Sequence, residues 1–144
     1  LAYAPTIGME VRVQEDYGLK DFVRHVAGDI DHRCAYCYEH RLEGTAKYAA
    51  EHGFTAFTST LLASTYQNHE AIAAAAEMYA RQYGVEFLYR DFRSNFRAGN
   101  QRARELGFYM QKYCGCVFSE ADRYQKQIDR DRAKFDAEEA ARQG

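Results

Sequence analysis

The sequence predicts an α/β fold, a mainly parallel sheet flanked by helices with a helical C-terminal part. Two observations carry that expectation. A helical segment, a glycine and a short β-prone apolar run follow one another twice, at 36–60 and again at 68–89. The chain is also apolar enough to bury a sheet, with 47% hydrophobic and 15% aromatic residues among its 144, so a single domain spanning 1–144 is expected.

Taken in order, residues 9–13 are β-prone and are expected to form a strand. Residues 19–27 follow as a short helix in which Leu19, Phe22, Val23 and Val26 share a face at 3, 4 and 7 spacing. A loop at 28–33 leads to a helix over 36–52, with Gly53 placed as a left-handed C-terminal cap before the apolar run 54–60. Asn68 can cap a second long helix that buries Ile72, Ala75, Ala76 and Tyr79 and ends at Gly84, before the run 85–89. Beyond Arg90 the pattern is irregular and arginine-rich. Ser119 then stands as an N-cap with Asp122 at capping-box spacing, opening a charged surface helix over 119–144 with only Tyr124, Ile128 and Phe135 to bury. The chain opens at Leu1, with no partner strand before 9–13, and a domain truncated at its N-terminus is therefore expected.

A formal net charge of −2 rules out a wholesale cationic nucleic-acid binder, so any contact with RNA must come from a local patch. Such a patch lies between residues 89 and 112. There Arg90, Arg93, Arg97, Arg102, Arg104 and Lys112 outnumber Asp91 and Glu105, with Phe92, Phe96, Phe108 and Tyr109 interleaved. Cations for phosphates and aromatic faces for unstacked bases are what a single-stranded RNA loop requires, although snorkelling arginines over a phenylalanine core would show the same composition. No apolar run approaches the roughly 18 residues of a membrane span, and no leader pattern opens the chain. A cytoplasmic protein without membrane contact is expected.

Four cysteines form two close pairs, Cys34 with Cys37 and Cys114 with Cys116. In a cytosolic protein this favours metal or redox work over structural disulfides. At C-x-x-C spacing two thiolates can point to one side of a turn that opens a helix, whose free amides and positive end favour anions. Arg33 and Arg41 add positive charge nearby. The C-x-C pair would close so small a disulfide ring that the bond would be strained and easily reduced, which suits an electron relay more than a staple. The alternative, a zinc ion held by all four thiolates, is also chemically reasonable. A thiol–disulfide oxidoreductase would lead into its C-x-x-C from an apolar-aromatic strand, which this chain lacks. The histidines at 25, 32, 40, 52 and 69 are dispersed. His32 stands near Cys34 and His69 at a helix start, and each is read as a surface or capping residue.

Four segments, RCAYCYEHRLE at 33–43, FTSTLLASTYQNHE at 57–70, EFLYRDFR at 86–93 and YMQKYCGCVFSE at 109–120, together resemble the QueH type of epoxyqueuosine reductase. The match covers about residues 14–124. The resemblance implies a Rossmann-like enzyme that reduces the epoxide of epoxyqueuosine at the wobble position of a tRNA with a queuosine-type anticodon, served by an electron-donor protein or reductant. It implies that Cys34 and Cys37 are ligands of a 4Fe-4S cluster, with or without an additional iron, and that Cys114 and Cys116 are a redox-active, catalytic pair. The family carries two further adjacent cysteines after an earlier strand, with no counterpart in this sequence, so a reduced or absent activity of this chain is expected. The competing expectation is a non-catalytic zinc- or RNA-binding domain.

Overall fold

The computed structural model describes residues 2–16 and 18–143. The chain divides into two compact units, Leu1–Cys37 and Tyr38–Gly144. The first holds a 3-10 turn at Ala4–Ile7 and helix α1 (Leu19–Val26). Helix α2 (Arg33–Glu51) begins in this unit and continues into the second. There follow strand β1 (Ala56–Phe57), a 3-10 turn at Thr60–Ala63, helix α3 (His69–Tyr83), strand β2 (Glu86–Phe87), helix α4 (Phe96–Glu105) and helix α5 (Val117–Gln143).

The expected strand at 9–13 is not formed. Its alternate residues Met9, Val11 and Val13 are 58%, 44% and 61% exposed, and Arg12 forms an ion pair with Glu10 along the same segment. A strand needs a neighbour to receive its backbone hydrogen bonds, and among the described residues the sheet consists of β1 and β2 alone. The α1 face is likewise only partly used: Val26 is buried, while Leu19 and Val23 remain exposed.

The second unit shows the expected alternation. β1 and β2 pair in parallel, with Ala56 opposite Glu86 and Phe57 opposite Phe87, and α3 forms the crossover between them. The strands are shorter than the apolar runs 54–60 and 85–89 because pairing ends where β1 turns into the Thr60–Ala63 turn. Two hydrogen bonds, Glu86 N–H to Thr55 O (2.8 Å) and Leu88 N–H to Phe57 O (2.9 Å), hold the ladder. α2 contributes Tyr38, Leu42, Ala46 and Ala49 to the core and α3 contributes Ile72, Ala75, Ala76 and Ala80. Both sets recur at helical spacing, so each helix buries one stripe, and Phe57 and Leu62 complete the cluster.

The helix ends follow local chemistry. Asn68 Oδ1 accepts from Ala71 N–H at 3.1 Å, which caps α3. Gly84 closes α3 at φ 70° and Gly53 follows α2 at φ 73°, both in the left-handed region that favours glycine. α2 begins three residues earlier than the expected 36. α5 begins at Val117, two residues before Ser119, so the expected N-cap lies inside the first turn, and the reason lies in the C-x-C segment described below. From Glu120 onward the described side chains of α5 are exposed, as its charged sequence requires. No helix among the described residues is long and apolar enough to cross a membrane.

Leu42 is 1% exposed at the centre of the α2 stripe. Leu42→Ala should cost about 2–5 kcal/mol, seen as a lower urea midpoint at unchanged slope.

Candidate functional site

Each cysteine pair lies at the opening of a helix. In the first unit, residues 27–32 turn the chain into α2. Asp29 accepts from His32 N–H at 3.3 Å and contacts His32 Nδ1 at 2.9 Å, and the Arg33 guanidinium donates to Ile30 O at 3.0 Å. Asp29 raises the pKa of His32 through this side-chain contact, and the carboxylate is lowered in return. Cys34 and Cys37 follow, three residues apart on the first turns of α2 and so on one side of it. Cys34 is exposed and Cys37 half-buried. The Tyr36 ring between them in sequence stacks on His25, centroids 4.5 Å apart. Burial, then Asp21 and Cys37, push its phenol up.

The second pair is held by the start of α5. Gly115 takes φ 85°, in the left-handed region that favours glycine. Glu120 N–H donates to Cys116 O at 3.0 Å, which makes Cys116 the residue that opens α5. Ser119 has a different role from the expected cap. Its Oγ accepts from Cys114 N–H at 3.2 Å, and Cys114 Sγ stands at the same distance from it. Cys114 is exposed and Cys116 half-buried, and both carry free thiols. Within each unit, among the described residues, no three His, Cys, Asp or Glu side chains are grouped to hold a metal ion.

The basic residues split by partner. Arg93 grips Asp91 with Nε and Nη2 at 2.6–3.0 Å, and Arg102 pairs with Glu105 at 3.2 Å. Arg90, Arg97, Arg104 and Lys112 are exposed. Arg97 and Arg104 lie seven residues apart on α4, hence on one face. Tyr66, in the segment between β1 and α3, is 85% exposed and meets Phe96, the first residue of α4, edge to face at 6.0 Å.

One residue departs from its surface assignment. His69, the first residue of α3, is 7% exposed. Its Nε2 lies 3.2 Å from Ser64 O, its ring meets Tyr89 edge to face at 6.5 Å, and its Nδ1 is buried without a protein hydrogen-bond partner. An unmatched buried acceptor costs about 1–3 kcal/mol. Its burial is in fact legible, since His69, Ile72 and Ala76 recur at i, i+3 and i+7 on the stripe already assigned to the core. His69 lines a concavity of about 630 Å³ with Gln67, Glu70, Glu77, Tyr89 and Arg93.

The family model of epoxyqueuosine reductase QueH matches residues 2–122. The chain is 37% identical over 120 residues to an epoxyqueuosine reductase QueH of Dehalococcoides mccartyi, covering 83% of this chain and 66% of that protein. It is 38% identical over 104 residues to the protein of that name from Thermotoga maritima, covering 71% of this chain and 54% of the relative. The relative from Streptococcus pyogenes is 32% identical over 114 residues, 74% of this chain and 45% of the relative. The chain thus spans about half to two-thirds the length of these curated relatives.

Arg93 holds the Asp91 carboxylate well below its usual range, chiefly through their side-chain hydrogen bonds. A depressed carboxylate stabilises the fold above its unfolded pKa and loses that contribution as pH falls toward the folded value. The pair should therefore support stability fully above the ordinary value of 3.8 and progressively less below it. In Arg93→Gln, Asp91 should titrate higher than in the parent by carboxyl-carbon NMR, while the backbone N–H of residue 93 still holds it below 3.8, and the acid limb of the stability curve should flatten.

Proposed function

This chain belongs to the epoxyqueuosine reductase QueH family, and we propose that it takes part in reducing epoxyqueuosine to queuosine at the wobble position of tRNA. The observation that carries this reading is that each cysteine pair opens a helix, α2 for Cys34 and Cys37 and α5 for Cys114 and Cys116. Helix N-termini favour negative charge, and thiolates and thiolate-bound clusters are negative. The β1–β2 pair with its α3 crossover is proposed as part of a Rossmann-like sheet.

Cys34 and Cys37 would hold a 4Fe-4S cluster, with or without an additional iron. Two thiols on one side of a helix opening fit half of the usual four-thiolate set. The positive groups before them, Arg33 and, at acid pH, His32, add to the favourable potential. When bound, such a cluster supplies one-electron chemistry.

Deoxygenating an epoxide breaks two carbon–oxygen bonds, takes up two electrons and two protons, and leaves an alkene and water. Oxidation of the Cys114 and Cys116 thiols to a disulfide releases that number of electrons and protons, so the pair can act as the store for one turnover. Ser119 Oγ, at hydrogen-bond distance from the Cys114 amide and sulfur, orients the thiol and can take its proton into a hydrogen bond. The left-handed Gly115 lets the backbone turn tightly between the two sulfurs. The strained disulfide is easy to reduce, and an electron-donor protein or a small reductant would reset it. The exposed Arg90, Arg97, Arg104 and Lys112, with Arg93 and Arg102, would hold the tRNA backbone, and the cytoplasm is the compartment in which tRNA and reduced thiols meet.

Anaerobic reconstitution with iron and sulfide should give a brown protein with broad visible absorption, lost in Cys34→Ser and Cys37→Ser. Stoichiometric zinc without sulfide would instead assign the cysteines to a structural ion. With the colour retained, Cys114→Ser should lower turnover on tRNA by on the order of a thousandfold, and full activity would remove the thiol store. Arg97→Ala combined with Arg104→Ala should weaken binding of a stem-loop RNA and make the slope of log affinity against log salt shallower by about 1.4.

A further inference from the structure

Helix α5 runs for 27 residues, and from Glu120 onward its described side chains are exposed. Most of it lies beyond residue 122, where the match to the family model ends. Its apolar residues are few but regularly placed. Ala121, Ile128 and Phe135 are spaced seven apart, as are Val117 and Tyr124, and the two series interleave at 3 and 4 spacing. That is the seam of a coiled coil, with the first series at heptad position a and the second at d. Asp131 takes the d position between Ile128 and Phe135. Val117, Ile128 and Phe135 are 45%, 53% and 63% exposed. Tyr124 is 39% exposed even with the Tyr113 ring edge-on to it at 6.2 Å.

The charges on α5 select what can cover this seam. Acidic and basic residues nearly balance along the helix, which suits neither RNA phosphates nor an anionic membrane, since both call for a basic face. The flanks are complementary to the same helix running the other way. In an antiparallel pair each a residue faces a d residue, and like flanking positions meet across the seam. One two-fold register then sets Ile128 opposite Tyr124, Phe135 opposite Val117 and Asp131 opposite the small Ala121, and each contact occurs twice. In that register the flanking Glu120 stands against Lys134, also twice, and the opposed helix dipoles add to the attraction. A parallel pair would instead press two Asp131 carboxylates together in one layer.

The groups concerned are free to make these contacts. Glu120 accepts from the Tyr113 hydroxyl and Lys134 lies 3.9 Å from Glu138, and neither contact uses up the capacity of the carboxylate or the ammonium. Gln127 Nε2 donates to Asp131 at 2.8 Å, which draws that carboxylate toward the rim of the seam. One polar layer costs stability and fixes register. We propose that α5 is a self-association surface on which a second copy of this chain pairs antiparallel, with Ile128 against Tyr124, Phe135 against Val117 and Glu120 against Lys134. The dimer so formed is built beside the C-x-C pair, because Phe135 of the second copy covers the residue that follows Cys116.

Sedimentation equilibrium of the full chain should show a reversible monomer–dimer equilibrium. Ile128→Glu sets an unpaired carboxylate in the seam and should raise the dissociation constant on the order of a hundredfold. Charge reversal gives a readout that misfolding cannot imitate. At low salt, Glu120→Lys and Lys134→Glu should each dimerise about tenfold more weakly alone, and an equimolar mixture should recover the parent affinity as a heterodimer, since the like charges of each homodimer become opposite charges in the mixture. A chain that stays monomeric up to about 1 mM overturns the proposal. So does a dimer indifferent to Ile128→Glu, and so does a mixture of the two charge variants that associates no better than either alone.

Discussion

The parallel pairing of Ala56–Phe57 with Glu86–Phe87 is the constraint on which the second unit depends. Two parallel strands leave their pairing at the same end, so the segment after β1 and the segment after β2 emerge side by side. The first leads through Leu62 and Ser64 to Asn68 and His69; the second leads through Leu88 and Tyr89 to Arg93. Their meeting is directly visible, since Phe92 N–H donates to Leu62 O at 3.2 Å and Thr58 Oγ1 donates to Leu88 O at 2.9 Å. An antiparallel pair would have sent the two segments to opposite ends, and Tyr89 and Arg93 would not stand beside His69.

Two tyrosines secure this arrangement with polar links between helices. The Tyr38 hydroxyl donates to Gln67 Oε1 at 2.8 Å and accepts from Asn68 N–H at 3.2 Å, which ties α2 to the entry of α3. The Tyr83 hydroxyl donates to Glu43 at 3.0 Å, and that contact raises its pKa. Both rings serve the apolar core as well as the polar link, which is the usual value of a buried tyrosine. The alanines Ala46, Ala49, Ala76 and Ala80 belong to the same buried cluster and keep its side chains small.

The cysteine pairs show how one electrostatic device recurs in different local geometry. Cys34 and Cys37 lie within the first turns of α2, so helical spacing sets their relation. Cys114 and Cys116 precede α5, so a left-handed glycine sets theirs. In both cases the free amides of a helix opening lie close to sulfur in the chain. Ser119 serves the C-x-C segment rather than its own helix, because Cys116 already occupies the opening position and the hydroxyl is left to reach back to Cys114.

Much of this was written in local residue order. Asn68, Gly84 and Gly53 mark helix ends because capping and positive φ are properties of one or two residues, and the stripes of α2 and α3 follow from spacing alone. The family was legible in the four motif segments, because such short patterns persist without reference to the fold. What the local pattern could not decide was partnership. Residues 9–13 have strand-like alternation, but a strand exists only where another chain segment accepts its hydrogen bonds. Ser119 reads as a cap until the preceding backbone takes that place. Arg93 and Arg102 count as free cations until Asp91 and Glu105 are found beside them. His69 falls on the core stripe by spacing, but only the packing around it shows that one ring nitrogen is left with no protein donor. Sequence by itself determined the Asn68 cap, the helix ends at Gly53 and Gly84, and the core stripes of α2 and α3, since these depend on near neighbours. Only the three-dimensional structure decided which polar groups are paired and which strand finds a partner, since both depend on geometry that residue order does not fix.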